Sequence, residues 1–147
     1  MDALELLKAD HQRVSDLFRE AETSDSLKKK RVIFESIRNE LELHTYIEET
    51  VFYPAFRKYD GFQDILSESY SEHKEVKEHL NRIESLPLES AELTSQLNQL
   101  KHRVEHHVHE EESDLFARIR KVMKVSEREE LGRHLQIARQ EKEEAAA

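Results

Sequence analysis

Five segments of this chain carry apolar residues at intervals of three and four, the spacing that places them on one side of an α-helix. The segments run from about residue 2 to 22, 27 to 59, 62 to 85, 89 to 124 and 127 to 143. They are separated by a polar stretch at 23–26, by Asp60-Gly61 and by Pro87, and Ser126-x-x-Glu129 has the form of a capping box before the last segment. Short connections make consecutive helices antiparallel neighbours. We therefore predict an all-α, up-down-up-down four-helix bundle with a short fifth C-terminal helix.

The composition agrees with helices and disfavours several classes of protein. Only 2 glycines and 2 prolines occur in 147 residues, which suits one helical domain. The chain contains no cysteine, which excludes disulfides, iron–sulfur clusters and thiol catalysis. A net charge of −9 disfavours nucleic acid and anionic membranes as partners. The N-terminus does not resemble a signal peptide and no stretch is long enough to span a membrane, so we expect a cytoplasmic protein.

We divide the chain at residue 124. Residues 1–124 form the predicted bundle, and residues 125–147 form the predicted C-terminal helix. The apolar residues Leu131, Leu135 and Ile137 of that helix are expected to pack against the bundle. Its last residues, 145–147, are expected to fray, as chain ends commonly do.

Each of the four long apolar stripes is interrupted near its middle by a histidine, and two of them also by a glutamate four residues later. The six residues are His11, His44, Glu48, His73, His107 and Glu111. Steps of three and four keep them on the apolar faces, and mid-helix positions fall at one level of an antiparallel bundle. Burying such groups without partners would cost several kcal/mol for each ionised group. Bound metal ions would remove that cost, so the pattern predicts a metal site.

Alternative explanations exist for each residue taken alone. A single histidine on an apolar stripe is more often a hydrogen-bonded core residue, and a single His-x-x-x-Glu is more often a surface pair. For the full set, the main alternative is a buried His–Glu hydrogen-bond network without metal. Six ligands exceed the needs of one zinc ion and fit two metal ions better. Imidazole and carboxylate ligands by themselves leave iron and manganese open.

The remaining histidines are predicted to face solvent, because they lie off the apolar stripes. His106, for example, is about 200° around the helix from Val104. This group comprises His79, His102, His106, His109 and His134.

Four segments of the sequence resemble the hemerythrin-like family, also called HHE cation-binding domains. They are Ala9-Asp10-His11, the stretch from His44 to Pro54, Glu72-His73, and the stretch from His107 to Phe116. The second and fourth align with each other, which indicates an internal repeat. The resemblance covers about residues 4 to 120.

The resemblance implies a non-haem centre of two iron ions, Fe2+ or Fe3+, with an oxo or hydroxo bridge. It implies that the four stripe histidines are terminal ligands and that Glu48 and Glu111 bridge the two ions. Manganese and zinc suit this family less well than iron.

The sequence departs from the oxygen carriers of that family at two positions. Carriers have a second histidine one turn after the histidine of the third helix, where this chain has Lys77. Their last motif is His-x-x-x-x-Asp, whereas here Glu111 follows His107 by four residues. About two coordination positions would then remain open on two six-coordinate irons. Tyr70 and Lys77 are the candidates for an additional ligand or a hydrogen-bonding neighbour.

The open positions favour a di-iron protein that reacts with peroxide or dioxygen, for which catalase-like turnover in oxidative stress is the concrete form. The alternative is a module that binds or senses oxygen or iron without turnover. A third hypothesis is a structural or interaction bundle with a vestigial site. The pattern identifies no catalytic side chain, electron donor or partner protein.

Overall fold

The computed structural model describes residues 1–146, which form a bundle of long helices. The helices are α1 Ala3–Thr23, α2 Leu27–Ile47, α3 Gln63–Glu84, α4 Leu93–Glu110, α5 Phe116–Val122 and α6 Val125–Ala146. Within the described residues no strand occurs, and no helix has the length and apolar character needed to cross a membrane. The predicted all-α, antiparallel four-helix bundle with an additional C-terminal helix is confirmed. The C-terminal helix is not short as predicted, because it has 22 residues and α1 has 21.

Two π-helical segments extend the second and fourth long helices without a turn. The segment Glu48–Phe52 continues α2 and is followed by a 3₁₀ segment, Tyr53–Phe56. The segment Glu111–Leu115 joins α4 to α5. Each π segment begins at the glutamate of a His-x-x-x-Glu motif, so the internal repeat of the sequence is also a repeat of backbone geometry.

Local sequence accounts for the start of the first two helices. The Asp2 side chain accepts a hydrogen bond from the backbone N–H of Glu5, and the Glu5 carboxylate accepts one from the backbone N–H of Asp2. Ser26 accepts a hydrogen bond from the backbone N–H of Lys29 at the start of α2. Before α3, Gly61 has a φ of 86°, a left-handed conformation that glycine adopts without strain.

The C-terminal helix begins differently from the prediction. Helix α6 starts at Val125, and the Glu127 carboxylate accepts a hydrogen bond from the backbone N–H of Lys124. The predicted capping box of Ser126 and Glu129 is therefore wrong. Glu127 already satisfies one of the unpaired N–H groups that every helix start exposes.

The body of α6 packs against α1, α2 and the first π segment. Leu131 and Leu135 are buried as expected, but Ile137 is 54% exposed. Ile137 lies about 200° around the helix from Leu135 and so faces solvent. Helix α6 extends to Ala146, and Ala147 lies outside the described residues. Fraying of residues 145–147 stays a prediction. The division of the chain into two units at residue 124 stays a prediction.

The bundle contains two apolar core layers with a polar layer between them. Along each of the four long helices, the predicted site residue separates a member of one layer from a member of the other. His11, for example, lies between Leu7 of the first layer and Val14 of the second. The antiparallel packing therefore brings the interruptions of all four stripes to one level, as the sequence predicts.

Candidate metal centre

The histidines and glutamates of the interrupted stripes form one buried cluster. None of the six is more than 8% exposed. The Nε2 atoms of His11 and His44 lie 3.2 Å apart, and those of His73 and His107 are also 3.2 Å apart. The structure thus arranges the four imidazoles as two close pairs.

Each of the two glutamates reaches one histidine of each pair. A carboxylate oxygen of Glu48 lies 3.2 Å from His44 Nε2 and 3.1 Å from His73 Nε2. Oxygens of Glu111 lie 3.2 Å from His11 Nε2 and 3.4 Å from His107 Nε2. One oxygen of each glutamate, Glu48 Oε2 and Glu111 Oε1, is buried and makes no hydrogen bond of good geometry, although Glu111 Oε1 lies 3.2 Å from His11 Nε2. Both carboxylates thus connect the two histidine pairs and retain unused lone pairs.

A second set of carboxylates holds the other ring nitrogen of each histidine. His11 Nδ1 donates to Glu112 at 2.6 Å, and His44 Nδ1 donates to Asp10 at 2.9 Å. His73 Nδ1 donates to Glu49 at 2.8 Å, and His107 Nδ1 donates to Glu72 at 2.6 Å. A proton held on Nδ1 leaves the Nε2 lone pair directed into the cluster. These four residues, which we call the outer carboxylates, were not predicted as site residues. Each is adjacent in sequence to a predicted one, but each pairs with a histidine of a different helix.

The cluster follows the internal repeat of the sequence. Its corresponding pairs are His11 and His73, Asp10 and Glu72, His44 and His107, Glu48 and Glu111, and Glu49 and Glu112. Matching members make matching hydrogen bonds in the two halves. The repeat therefore produces an approximate two-fold symmetry in the site itself.

One hydroxyl breaks this symmetry. The Tyr53 hydroxyl donates to Glu111 Oε2 at 2.7 Å and lies 3.2 Å from Glu48 Oε1. Its counterpart in the repeat is Phe116, whose ring stacks on His11 with the ring centroids 6.4 Å apart. Tyr53 and Phe116 each follow a π segment by one residue, and π-helical i to i+5 spacing places them on the face of the preceding glutamate.

The two residues predicted as additional neighbours of the cluster lie elsewhere. The Tyr70 hydroxyl accepts a hydrogen bond from Arg57 at 2.7 Å and donates one to the backbone carbonyl of Glu49 at 3.5 Å. Its ring packs against the ring of Tyr53 at a centroid distance of 5.3 Å, and it contacts none of the six predicted ligands by a hydrogen bond. Lys77 is exposed on α3. Tyr53 takes the place predicted for Tyr70 because the π segment turns it inward, which a regular 3.6-residue period does not anticipate.

One of the histidines predicted to face solvent is buried. His79 is 1% exposed, and its Nε2 donates to Gln96 Oε1 at 2.9 Å. It lies three residues after the buried Val76, at the edge of the α3 stripe, where α4 covers it. Burial lowers the pKa of His79, so it is a neutral core residue. The other four are exposed as predicted: His102, His106, His109 and His134.

The ionisable groups of the cluster stabilise one another's charges. Burial by itself lowers the pKa of His44, but the charge of Glu48 and hydrogen bonds to Asp10 and Glu48 raise that pKa to about 10. Burial raises the pKa of the Glu111 carboxyl, yet the hydrogen bond and the positive charge of His107 hold that pKa well below its usual range. Protons on the histidines thus balance the buried carboxylates, and a bound metal cation would replace those protons.

The spacing of the donor atoms suits metal ions. Ligand atoms at about 2.1 Å from a metal and at right angles lie about 3 Å apart, close to the 3.1 to 3.4 Å measured here. Within the buried cluster, two sets of donors are close enough to hold one ion each: His11, His44, Glu48 and Glu111, and Glu48, His73 and His107. Because Glu48 belongs to both sets, the two ions would share a ligand. The residues present therefore fit a two-metal centre.

A small apolar cavity adjoins the cluster. Its volume is about 20 Å³, and it is lined by the four histidines and by aliphatic side chains that include Val14, Val76, Val104 and Val108. A cavity of about 10 to 15 Å³ can hold one water molecule. The space beside the donors is therefore suited to a ligand of very few atoms.

The chain is similar to known proteins along nearly its whole length. Residues 2–119 match the family described as hemerythrin HHE cation binding domain. The crystal structure of a hemerythrin HHE cation binding domain-containing protein from Mycobacterium kansasii is similar with a TM-score of 0.86 and 25% identity, over 99% of this chain and 90% of that one.

A curated relative is much longer than this chain. A protein of Nostoc sp. named DNA nickase is 35% identical over 120 residues, which cover 82% of this chain and 34% of the relative. This chain thus spans about a third of that relative's length.

Proposed function

Because this chain belongs to the hemerythrin HHE cation-binding domain family, we propose that its buried cluster binds two iron ions. The ligands are the six predicted residues, His11, His44, Glu48, His73, His107 and Glu111. Glu48 and Glu111 would supply ligands toward both ions, since each lies within 3.4 Å of a histidine from both pairs. The observation that carries the proposal is the pair of buried glutamate oxygens that make no hydrogen bond of good geometry beside four inward-facing Nε2 atoms.

Iron is the proposed metal for two reasons. Imidazole and carboxylate donors together suit iron, and no thiolate is available to favour a softer ion. The resemblance to hemerythrin-like proteins also implies iron. Manganese and zinc are the competing metals, and the loading experiment below includes them.

We further propose that the centre reacts with peroxide or dioxygen. A pair of iron ions, when bound, supplies redox chemistry that protein side chains lack. The valine-lined cavity of about 20 Å³ beside the donors provides space for a ligand of very few atoms, such as dioxygen or hydrogen peroxide. Tyr53 holds a proton on its hydroxyl beside Glu111, because burial and the charges of Glu111 and Glu48 raise the pKa of Tyr53 well above its usual value.

Binding or sensing without turnover is the second candidate function. It is favoured by the enclosure of the cluster, in which every proposed ligand is at most 8% exposed. Such burial slows the exchange of ligands and electrons with the solvent. An electron donor or a partner protein would then respond to the oxidation or ligand-bound state of the centre.

Nicking of DNA is not part of the proposal. The Nostoc relative bearing that name matches this chain over only 34% of its own length. The net charge of −9 also opposes binding to a phosphate backbone.

The decisive experiment is the metal content per chain after loading the metal-free protein anaerobically with Fe2+, Mn2+ or Zn2+, with an optical spectrum and a peroxide-consumption assay on each form. The proposal expects about two irons per chain and turnover of peroxide by the iron form alone. About two irons without peroxide consumption would support the binding or sensing function. Failure to retain any metal would refute both and leave a buried hydrogen-bond network.

A further inference from the structure

The C-terminal helix reaches the candidate metal centre through a single arginine. The Arg139 guanidinium of α6 donates to Asp10 Oδ2, the same oxygen that accepts from His44 Nδ1 at 2.9 Å. Asp10 is 1% exposed, and the Arg139 side chain is 18% exposed. The hydrogen bonds from Arg139 to Asp10 and from His44 to Asp10 are therefore largely shielded from water. Hydrogen bonds between charged groups are strong and directional in such a shielded environment.

Packing on either side of Arg139 determines its position. On the N-terminal side, the backbone of Gly132 lies so close to the start of the chain that an added Cβ would be 2.8 Å from the Met1 carbonyl oxygen. On the C-terminal side, the Lys142 ammonium lies 4.7 Å from the centre of the Tyr46 ring. The helix thus holds Arg139 against α1.

A second arginine contacts the same carboxylate but is less constrained. Arg13 donates to Asp10 Oδ1, and its side chain is 49% exposed. Arg13 also lies 3.7 Å from Glu40, which offers it a competing partner. Arg139 is therefore the better-ordered contact on the oxygen that holds His44.

The other half of the centre is held differently. Glu72, the counterpart of Asp10, accepts from His107 Nδ1 at 2.6 Å, while its second oxygen lies 3.7 Å from the exposed His106. No arginine pairs with Glu72 within residues 1–146. The two halves share the same inner ligands but differ in what holds the outer carboxylate.

We propose that Arg139 is a positioning residue for one half of the metal centre, holding Asp10 and, through it, the metal-facing orientation of His44. The inference rests on the proposed metal-binding function. It assigns a role to α6, which lies beyond the residues 2–119 that match the family. Loss of a contact that orients a metal-bound histidine typically weakens metal binding by about 10- to 100-fold. Arg139 contacts His44 only through Asp10, so we expect its loss to weaken binding of the ion near His11 and His44 by about 10-fold, the lower end of that range.

The test compares three variants of the iron-loaded full chain. Arg139→Gln removes the charge, Arg139→Lys retains it, and Arg133→Gln is the matched control because Arg133 lies on the same helix in an exposed pair with Glu130. Iron release to an excess of a chelator is followed per chain, together with the optical spectrum and the thermal unfolding of the metal-free forms. In Arg139→Gln, one of the two irons is expected to leave about 10-fold faster, with the other unchanged. Arg139→Lys should restore much of the difference, and Arg133→Gln should match the wild type.

Two results would overturn the inference while leaving the proposed function intact. The first is release of both irons from Arg139→Gln at wild-type rates. The second is equally faster release of both irons together with a lower unfolding temperature of the metal-free protein, which would make α6 a general support of the fold. A wild-type chain that binds no iron would instead refute the proposed function, and the inference with it.

Discussion

The hydroxyl of Tyr53 donates a 2.7 Å hydrogen bond to Glu111 Oε2 and so joins the two repeats of the sequence at the centre of the bundle. Tyr53 belongs to the first repeat and Glu111 to the second. The reciprocal contact cannot form, because the counterpart of Tyr53 is Phe116. The two halves of the centre therefore differ in hydrogen bonding although their histidines and glutamates correspond.

Replacing Tyr53 by Phe should destabilise the metal-free protein by about 1.5 to 3 kcal/mol, the range for a hydrogen bond to a charged group. The substitution preserves the ring and leaves a buried carboxylate oxygen with one donor fewer. Unfolding in urea measures the change. Tyr70→Phe is the matched control, since that hydroxyl bonds Arg57 near the surface and should matter by less than about 1 kcal/mol. Equal effects of the two substitutions would contradict the assigned role of Tyr53.

Replacing Glu48 or His44 by Ala should reduce bound iron to about one per chain or fewer. Glu48 belongs to both donor sets, so its loss affects both ions. The stabilisation that iron gives to the fold should fall in parallel, because metal binding and folding are coupled. Elemental analysis and thermal unfolding with and without iron measure the two effects. Glu105→Ala, at an exposed site on α4, is the control, and unchanged iron content in the Glu48 and His44 variants would exclude these residues as ligands.

The metal-free protein should become less stable as the pH rises from about 7 to about 10. The folded-state pKa of His44 is raised from the ordinary 6.5 to about 10, so its proton stabilises the fold fully below pH 6.5 and is lost as the pH passes through the folded value. Between these two pKa values, the free energy of unfolding falls by about 1.4 kcal/mol per pH unit for each proton that the folded state holds and the unfolded state does not. His11, His73 and His107 are shifted in the same direction.

Urea unfolding of chelator-treated protein at several pH values measures this dependence. The exposed His109 provides a control, since His109→Ala should leave the slope unchanged. Iron affinity should change in the opposite sense and rise with pH, because iron displaces the histidine protons. A metal-free protein whose stability is flat or rises over this range would contradict the assigned ionisation of the cluster.

Gly132→Ala should destabilise the protein by about 1 to 3 kcal/mol, as overpacking does. In an exposed helix the same change usually stabilises, by about 1 kcal/mol. Here the new Cβ would lie 2.8 Å from the Met1 carbonyl oxygen and 3.0 Å from the Ala3 nitrogen, both backbone atoms. Thermal unfolding measures the effect, with His134→Ala on the exposed face of α6 as the control. A more stable Gly132→Ala variant would show that α6 moves easily away from the N-terminus.

The helices and the shared level of the six polar interruptions follow from patterns within the sequence. Apolar residues at steps of three and four define one face of each helix, and this rule needs no knowledge of the neighbouring helices. Because the interruptions occur near the middle of four antiparallel helices, their meeting follows from chain geometry alone. The spacing of His11 and His107 along their helices therefore predicts that both lie in one buried layer.

The surroundings of that layer depend on how the helices pack in three dimensions. The π segment that begins at Glu48 turns Tyr53 toward the cluster, and a regular helical period carries no sign of this change. The outer carboxylates bond histidines of other helices, and Arg139 reaches Asp10 across 129 positions of sequence. Local spacing determines which face of a helix a residue occupies. The partner that it meets depends on how separate helices pack, because hydrogen bonds and ion pairs form between atoms close in space whatever their distance along the chain.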